Sequence, residues 1–167
     1  MKKSILKIVA IALCAVFALG ILCACDNGQG GEVQNEDIYA IKAGAVTVEL
    51  GKKADGTLSK LGEPMSEQNT GNCGGLGETV RYEYSSFVMV VVDYEDGGKI
   101  IDQITLKNDG AETSKGIYIG ASESVVREKY GEPDGVSGKT LKYESGDKLL
   151  EFGITDGAVS SIVFRCK

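Results

Sequence analysis

The strongest constraint on this chain is that it resembles itself. Residues 51–64 read GKKADGTLSKLGEP and residues 120–133 read GASESVVREKYGEP. They align without a gap at an offset of 69, placing Gly51 on Gly120, Lys60 on Lys129, Leu61 on Tyr130 and one Gly-Glu-Pro on the other. Further along the offset falls to 58, where Ile101, Ile104 and Leu106 match Val159, Ile162 and Phe164. The first copy is thus longer by about eleven residues, and the excess falls in the loop that holds Cys73. Self-similarity at a fixed spacing implies one supersecondary unit used twice, which removes most other architectures from consideration.

Each copy predicts the same elements. A short strand (46–50; 116–119) leads to a short helix (54–61; 122–130), for which Ser122 is a candidate cap. Gly62 and Gly131 stand where a helix C-terminus favours positive φ, and the prolines two residues later forbid continuation. Three strands follow, about 79–84, 87–94 and 99–107, then 139–144, 148–154 and 158–165. Ser-Ser, Glu-Asp-Gly-Gly, Ser-Gly-Asp and Thr-Asp-Gly connect them, which is hairpin chemistry. The expected class is α+β: two tandem β-α-β-β-β repeats, 44–109 and 110–167, forming a curved antiparallel sheet with the short helices packed on one face.

Strand alternation assigns the faces. Val80, Tyr82, Tyr84, Ile104, Leu106, Leu141, Tyr143, Leu150, Phe152, Ile162 and Phe164 are expected against the helices. Arg81, Glu83, Gln103, Thr105, Lys107, Lys142, Glu144, Glu151 and Arg165 are expected on a mixed-charge, solvated face. Residues 87–92, Phe-Val-Met-Val-Val-Val, break the pattern by being apolar on both faces. They read as a central strand whose second face is covered, or as an exposed stripe that grips a partner.

The N-terminus reads as an address. Lys2, Lys3 and Lys7 precede an uncharged apolar run from Ile8 to Leu22, and Leu22-Cys23-Ala24-Cys25 follows. This is the layout of a secretory signal, 1–24, ending in a bacterial lipobox; it implies cleavage after Ala24 and lipidation of Cys25. Two or three acyl chains, at about 0.8 kcal/mol per buried CH₂, hold a protein firmly on a membrane. Residues 25–43 are expected to be the lipidated cysteine and a flexible tether, on the polar, Gly-rich composition of 26–37. Without the three leader lysines, 18 basic residues become 15 against 24 acidic ones, a net charge of −9. Such a surface is repelled by anionic headgroups, so the domain is expected to stand off the bilayer. Of five cysteines, Cys14 and Cys23 leave with the leader and Cys25 takes lipid. Cys73 and Cys166 remain, and outside the cytoplasm they are candidates for a structural disulfide.

Several chemistries are set aside. The chain has no histidine, which excludes Ser-His-Asp and Cys-His catalysis within it. Its acidic balance argues against nucleic acid as a partner. The acidic turns 93–96 and 108–109 lack the ligand spacing of an EF-hand, so no metal is expected. The Gly-rich stretch 71–77 lacks a P-loop lysine, so no nucleotide cofactor is expected. Glu83 and Glu144 are the pair that a carboxylate-based hydrolase would need, and Tyr118 is a candidate exposed aromatic for a carbohydrate or peptide surface.

Gly116-Ile117-Tyr118-Ile119-Gly120, Val125 and the Tyr130-Gly131-x-Pro133 turn, in two copies behind a lipobox, resemble the β-lactamase-inhibitor-protein-like tandem repeat. They are also similar to the SmpA/OmlA small lipoproteins of envelope assembly. The resemblance covers about 46–166. It implies an extracytoplasmic, membrane-anchored, non-catalytic binding or scaffold protein that meets a protein partner through its sheet. The partner-facing candidates are Arg81, Glu83, Lys142, Glu144 and Arg165. The same resemblance implies, as the alternative, an inhibitor of a secreted or surface hydrolase.

Overall fold

Alternation at a period of two dominates residues 78–106 and 140–166, and both stretches fold as antiparallel meanders. The computed structural model describes residues 38–72, 77–95 and 97–167. In chain order the strands are β1 (Ala40–Ala43), β2 (Val46–Glu49), β3 (Ser66–Asn72), β4 (Glu78–Glu83), β5 (Phe87–Tyr94), β6 (Gly98–Leu106), β7 (Glu112–Thr113), β8 (Gly135–Ser137), β9 (Thr140–Ser145), β10 (Lys148–Thr155) and β11 (Ala158–Cys166). Helix α1 (Asp55–Leu61) precedes β3, and α2 (Glu123–Tyr130) precedes β8. The class is α+β, mostly antiparallel sheet. One sheet has eight strands in the order β3-β4-β5-β6-β11-β10-β9-β8, and a second has three, β2-β1-β7.

The large sheet places its halves on either side of the β6–β11 pair. That pair is short, matching Thr105 with Val163, Ile104 with Phe164 and Gln103 with Arg165. The first half of each strand in the pair is held elsewhere. Gly51 and Ala54 donate to the carbonyls of Ile101 and Lys99, and Ile101 donates to Lys52. In the second half, Gly120 and Glu123 donate to Val159 and Gly157, and Val159 donates to Ala121. Isolated bridges, Lys53 with Ile100 and Ser122 with Ala158, complete each set.

The core lies on one face of the large sheet. Its central row runs Tyr82, Met89, Ile104, Phe164, Leu150, Tyr143 across six strands, and all six side chains are buried. Tyr39, Ile41, Val48 and Leu50 from the small sheet's first hairpin join the same cluster, as does Val126 of α2, with Leu58 and Leu61 of α1 packed against it. The helix ends are anchored alike: the Tyr84 hydroxyl donates to the Gly62 carbonyl at 3.4 Å and the Tyr143 hydroxyl to Gly131 at 3.0 Å. Gly62 and Gly131 take φ of 74° and 81°, the left-handed backbone that glycine tolerates.

Three expectations are corrected. The tether expected through residue 43 ends sooner, because Tyr39, Ala40 and Ile41 are buried and β1 is the middle strand of the small sheet; residues 25–37 lie outside the described residues. β7 pairs with β1, so residues expected in the tether hold a strand of the second expected repeat. Residues 116–119 are not a strand. The Thr113 hydroxyl accepts the Ile117 N–H at 3.0 Å, where a ladder carbonyl would sit, and Gly116 and Gly120 turn the chain at φ of 74° and 102°. Ser122 holds the N-cap position, but its hydroxyl bonds the Ser124 hydroxyl at 2.9 Å rather than a backbone N–H.

An aromatic cluster docks α2. Tyr130 meets Phe152 edge-on at 5.2 Å and Tyr143 at 5.4 Å. The Tyr130 hydroxyl is buried and makes no hydrogen bond of good geometry among the described residues, with Thr113 and Ser114 its nearest polar neighbours. Burial pushes its pKa up to about 12, with Thr113 and Ser114 acting in the opposite direction. A raised tyrosine pKa means that the unfolded chain releases this proton first. The stabilisation is therefore complete below about pH 10 and lost as pH rises through about 12, to the extent of about 3 kcal/mol. Urea titrations at pH 8, 10 and 12 are expected to show this alkaline loss in the parent chain. Tyr130→Phe should keep its stability at pH 8 and lose about 2 kcal/mol less by pH 12; identical alkaline slopes in both chains would refute the assignment.

Candidate partner-binding face

Register brings the five candidate residues onto two neighbouring cross-strand rows of the face opposite the core. One row runs Gln68, Arg81, Val90, Gln103, Arg165, Leu149, Glu144. The next runs Ser66, Glu83, Val88, Thr105, Val163, Glu151, Lys142, Gly135 through all eight strands. A strand pair displaces side chains by about 4.8 Å, so the second row spans about 34 Å.

The charges on these rows are organised in two groups. On one side Glu83 accepts from Arg81 at 3.0 Å and from Lys107 at 2.7 Å. These two bonds hold the Glu83 carboxyl below the usual carboxylate range, the Lys107 bond contributing most. On the other side Glu151 lies between Arg165 at 3.1 Å and Lys142 at 3.6 Å, while Glu144 pairs with Lys167. Each such pair on an accessible surface is worth at most about 1 kcal/mol. Their effect is to fix long side chains in place, which reduces the ordering cost of meeting a partner.

Between the groups lies a low, less polar centre of Val88, Val90, Gln103, Thr105 and Val163. The all-apolar strand of the sequence is β5, and it is central, between β4 and β6. Phe87, Met89 and Val91 enter the core. Val88 and Val92 on the second face are only 9% and 6% exposed, so no open apolar stripe exists there. Glu83 and Thr105 flank Val88 in register, and the Glu83–Lys107 bond spans the strand that carries it. A bulge on β6 sets the alignment: Val90 faces Gln103 and Val91 faces Ile101, leaving Asp102 as the extra residue. Burial raises the Asp102 carboxyl above its ordinary pKa.

The hydrolase pairing does not assemble. Glu83 on β4 and Glu144 on β9 are five strands apart, about 24 Å along the sheet, whereas paired glycosidase carboxylates stand about 5–9.5 Å apart. No cluster of three or more metal-ligating side chains occurs among the described residues. Tyr118 is 45% exposed but lies in the irregular segment after β7, off both rows. Cys166 is a half-buried free thiol, its pKa raised by burial and by Asp102 and Asp147. Cys73, its expected partner, and Cys25 lie outside the described residues. Sequence reasoning missed Lys167, which follows the last strand and answers Glu144. The valine centre was visible only as broken alternation.

Comparison with family models, curated proteins and solved structures finds no match for this chain.

Proposed function

We infer that the protein is a lipid-anchored, extracytoplasmic binding or scaffold module without catalysis of its own, and that its two-row sheet face receives a protein partner. The observation that carries the reading is the composition of that face: fixed ion pairs on both sides of a low centre of valine, threonine and glutamine. Interfaces of this kind put a desolvated centre inside a polar rim. The leader, the lipobox and the polar run before Ile38 support the anchor at Cys25. A duplicated unit is part of the reading. It is supported by the backbone bonds 51–101, 52–101 and 54–99, which become 120–159, 121–159 and 123–157 on adding 69 and 58. The resemblance to β-lactamase-inhibitor-like repeats makes a secreted or surface hydrolase the alternative partner, with this chain as its inhibitor.

The test is site-specific photocrosslinking in intact cells, with the probe at Val90 and, as a control, at Lys60 on α1. Position 90 is expected to capture a discrete protein and position 60 not to. Reversing both arginines (Arg81→Glu, Arg165→Glu) should weaken capture by about tenfold or more, as loss of central interface contacts does. Cys25→Ala should remove the protein from the membrane fraction. Equal capture from both positions, or capture unchanged by the reversals, rejects the face as the binding surface. A captured hydrolase whose activity falls on binding selects the inhibitor form of the reading.

A further inference from the structure

The large sheet ends at β8 in an open edge with a cavity beside it. β8 is last in the strand order and pairs with β9 alone. Ser137 stands opposite Thr140, Val136 opposite Leu141 and Gly135 opposite Lys142. In an antiparallel ladder every second pair exchanges its N–H and C=O groups, and the pairs between point theirs away. Two bonds fix which pairs are which. The Lys139 carbonyl accepts the Ile154 N–H of β10 at 2.7 Å, and the Glu144 N–H donates to the Asp134 carboxylate, just before β8, at 2.7 Å. Residues 139 and 141 therefore bond toward β10, and residues 140, 142 and 144 toward β8. Val136 faces Leu141, so its own N–H and C=O point out of the sheet edge, where they meet no partner among the described residues.

The cavity, of about 260 Å³, lies on the face that Val136 shares with Leu141. Leu141 and Ile154, both buried, and Val136, 59% exposed, line it from the sheet. Glu123 and Arg127 line it from α2. That wall is fixed in place: Arg127 donates to Glu123 at 2.9 Å and to Glu132 at 2.6 Å. The Glu123 N–H donates to the Gly157 carbonyl at 3.0 Å, which ties the start of α2 to the turn between β10 and β11. With Lys139 and Asp156 the lining carries two acids and two bases, so it favours a neutral occupant although the chain is at −6. Sites for whole small ligands measure about 300–1,000 Å³; this one is smaller and suits a single apolar side chain.

We propose that an extended segment of a partner protein adds to β8 as an antiparallel ninth strand, bonding its main chain to Val136 and placing one apolar side chain in the cavity. Strand addition draws affinity from main-chain hydrogen bonds and specificity from pockets for alternate side chains. The partner residue opposite Val136 lies on the same face as Val136 and Leu141, so its side chain is the one that enters, and its two neighbours point away. A second copy of this chain fits less well. The edge is three residues long, and pairing it with its like covers far less than the about 1,000 Å² expected of a stable interface. The two-row face is on the other side of the sheet, so this site stands whether or not that face binds.

Amide resonances of the full chain in phosphatidylcholine bicelles test the site with a blocked peptide, acetyl-Ser-Thr-Leu-Thr-Ser-amide. The peptide is expected to shift Val136, Ser137 and Ile154 saturably, with a Kd of about 1 mM or below. Replacing its leucine by aspartate, or methylating the leucine nitrogen, should weaken binding about tenfold or more. Val136→Pro should do the same, read at Ile154. Proline is tolerated on an edge strand whose N–H faces solvent, so this variant keeps the fold. The absence of saturable shifts overturns the site. So does a methylated or aspartate peptide that binds as the parent peptide does, and so do equal shifts along β3, the other open edge. Sedimentation in the same bicelles tests the remaining occupant: a dimer that Val136→Pro dissolves puts a second copy on the edge and rejects the partner segment.

Discussion

Phe152→Ala is expected to destabilise the protein by about 3–5 kcal/mol, the usual cost of deleting a buried aromatic ring. Phe152 is wholly buried on β10. It pairs with Ile162 on one side and Leu141 on the other, and its ring meets Tyr130 and Tyr143 edge-on. Each such edge-on contact adds about 0.5–1.5 kcal/mol beyond burial. The cavity would open beneath α2, because Tyr130 is that helix's last residue and would lose its ring partner. Urea denaturation of the full chain is the measurement. The midpoint should fall with the slope unchanged, since the surface exposed on unfolding is nearly the same. A loss below about 1 kcal/mol would mean that the helix does not dock through this ring.

Gly77→Ala is expected to cost about 3 kcal/mol or more, although it adds one methyl group. Gly77 adopts φ of 136° just before β4, and a Cβ there would stand 2.8 Å from the Asp93 carbonyl carbon and closer still to its oxygen. Tyr94 Cα would be 3.4 Å away. All three atoms are backbone, so no rotamer change relieves the overlap; the start of β4 must leave the end of β5. Gly98→Ala is the matched control. It has φ of 73° with nothing within 4 Å of the added carbon, so it should cost only about 1 kcal/mol, the ordinary penalty of left-handed backbone. If the two variants prove equally stable, the close approach at Asp93 is wrong.

The sequence announces those parts of the fold that have an apolar side. The two meanders, the buried row from Tyr82 to Tyr143 and both Gly-terminated helices follow from period, turn residues and breakers. β3 is invisible for a physical reason: Ser-Glu-Gln-Asn-Thr-Gly-Asn is polar throughout, and an edge strand needs only one hydrogen-bonded neighbour and little packing. β8 is similar, and its Val136 is 59% exposed. β1 is masked by the polar run that precedes it, although Ile38-Tyr39-Ala40-Ile41 marks its entry into the core. Parity assigned Arg81, Glu83, Lys142, Glu144 and Arg165 to one face correctly. It could not bring them onto two rows, because strand order is a tertiary fact: nothing local says that β6 lies beside β11. The bulge at Asp102 was legible in principle, since Ile100-Ile101-Asp102 interrupts the alternation.

The short β6–β11 seam bears on how the chain assembles. It contributes three residue pairs, against eight for β5–β6 and eight for β10–β11. Nearly all other pairing in the large sheet joins strands that are consecutive in the chain, through connections of a few residues. Such local contacts are quick to form, whereas closure over a long separation is slow. Each meander therefore gathers around its own turns first, and the joining of Ile104 to Phe164 is the late step that makes two short-range units into one cooperative sheet.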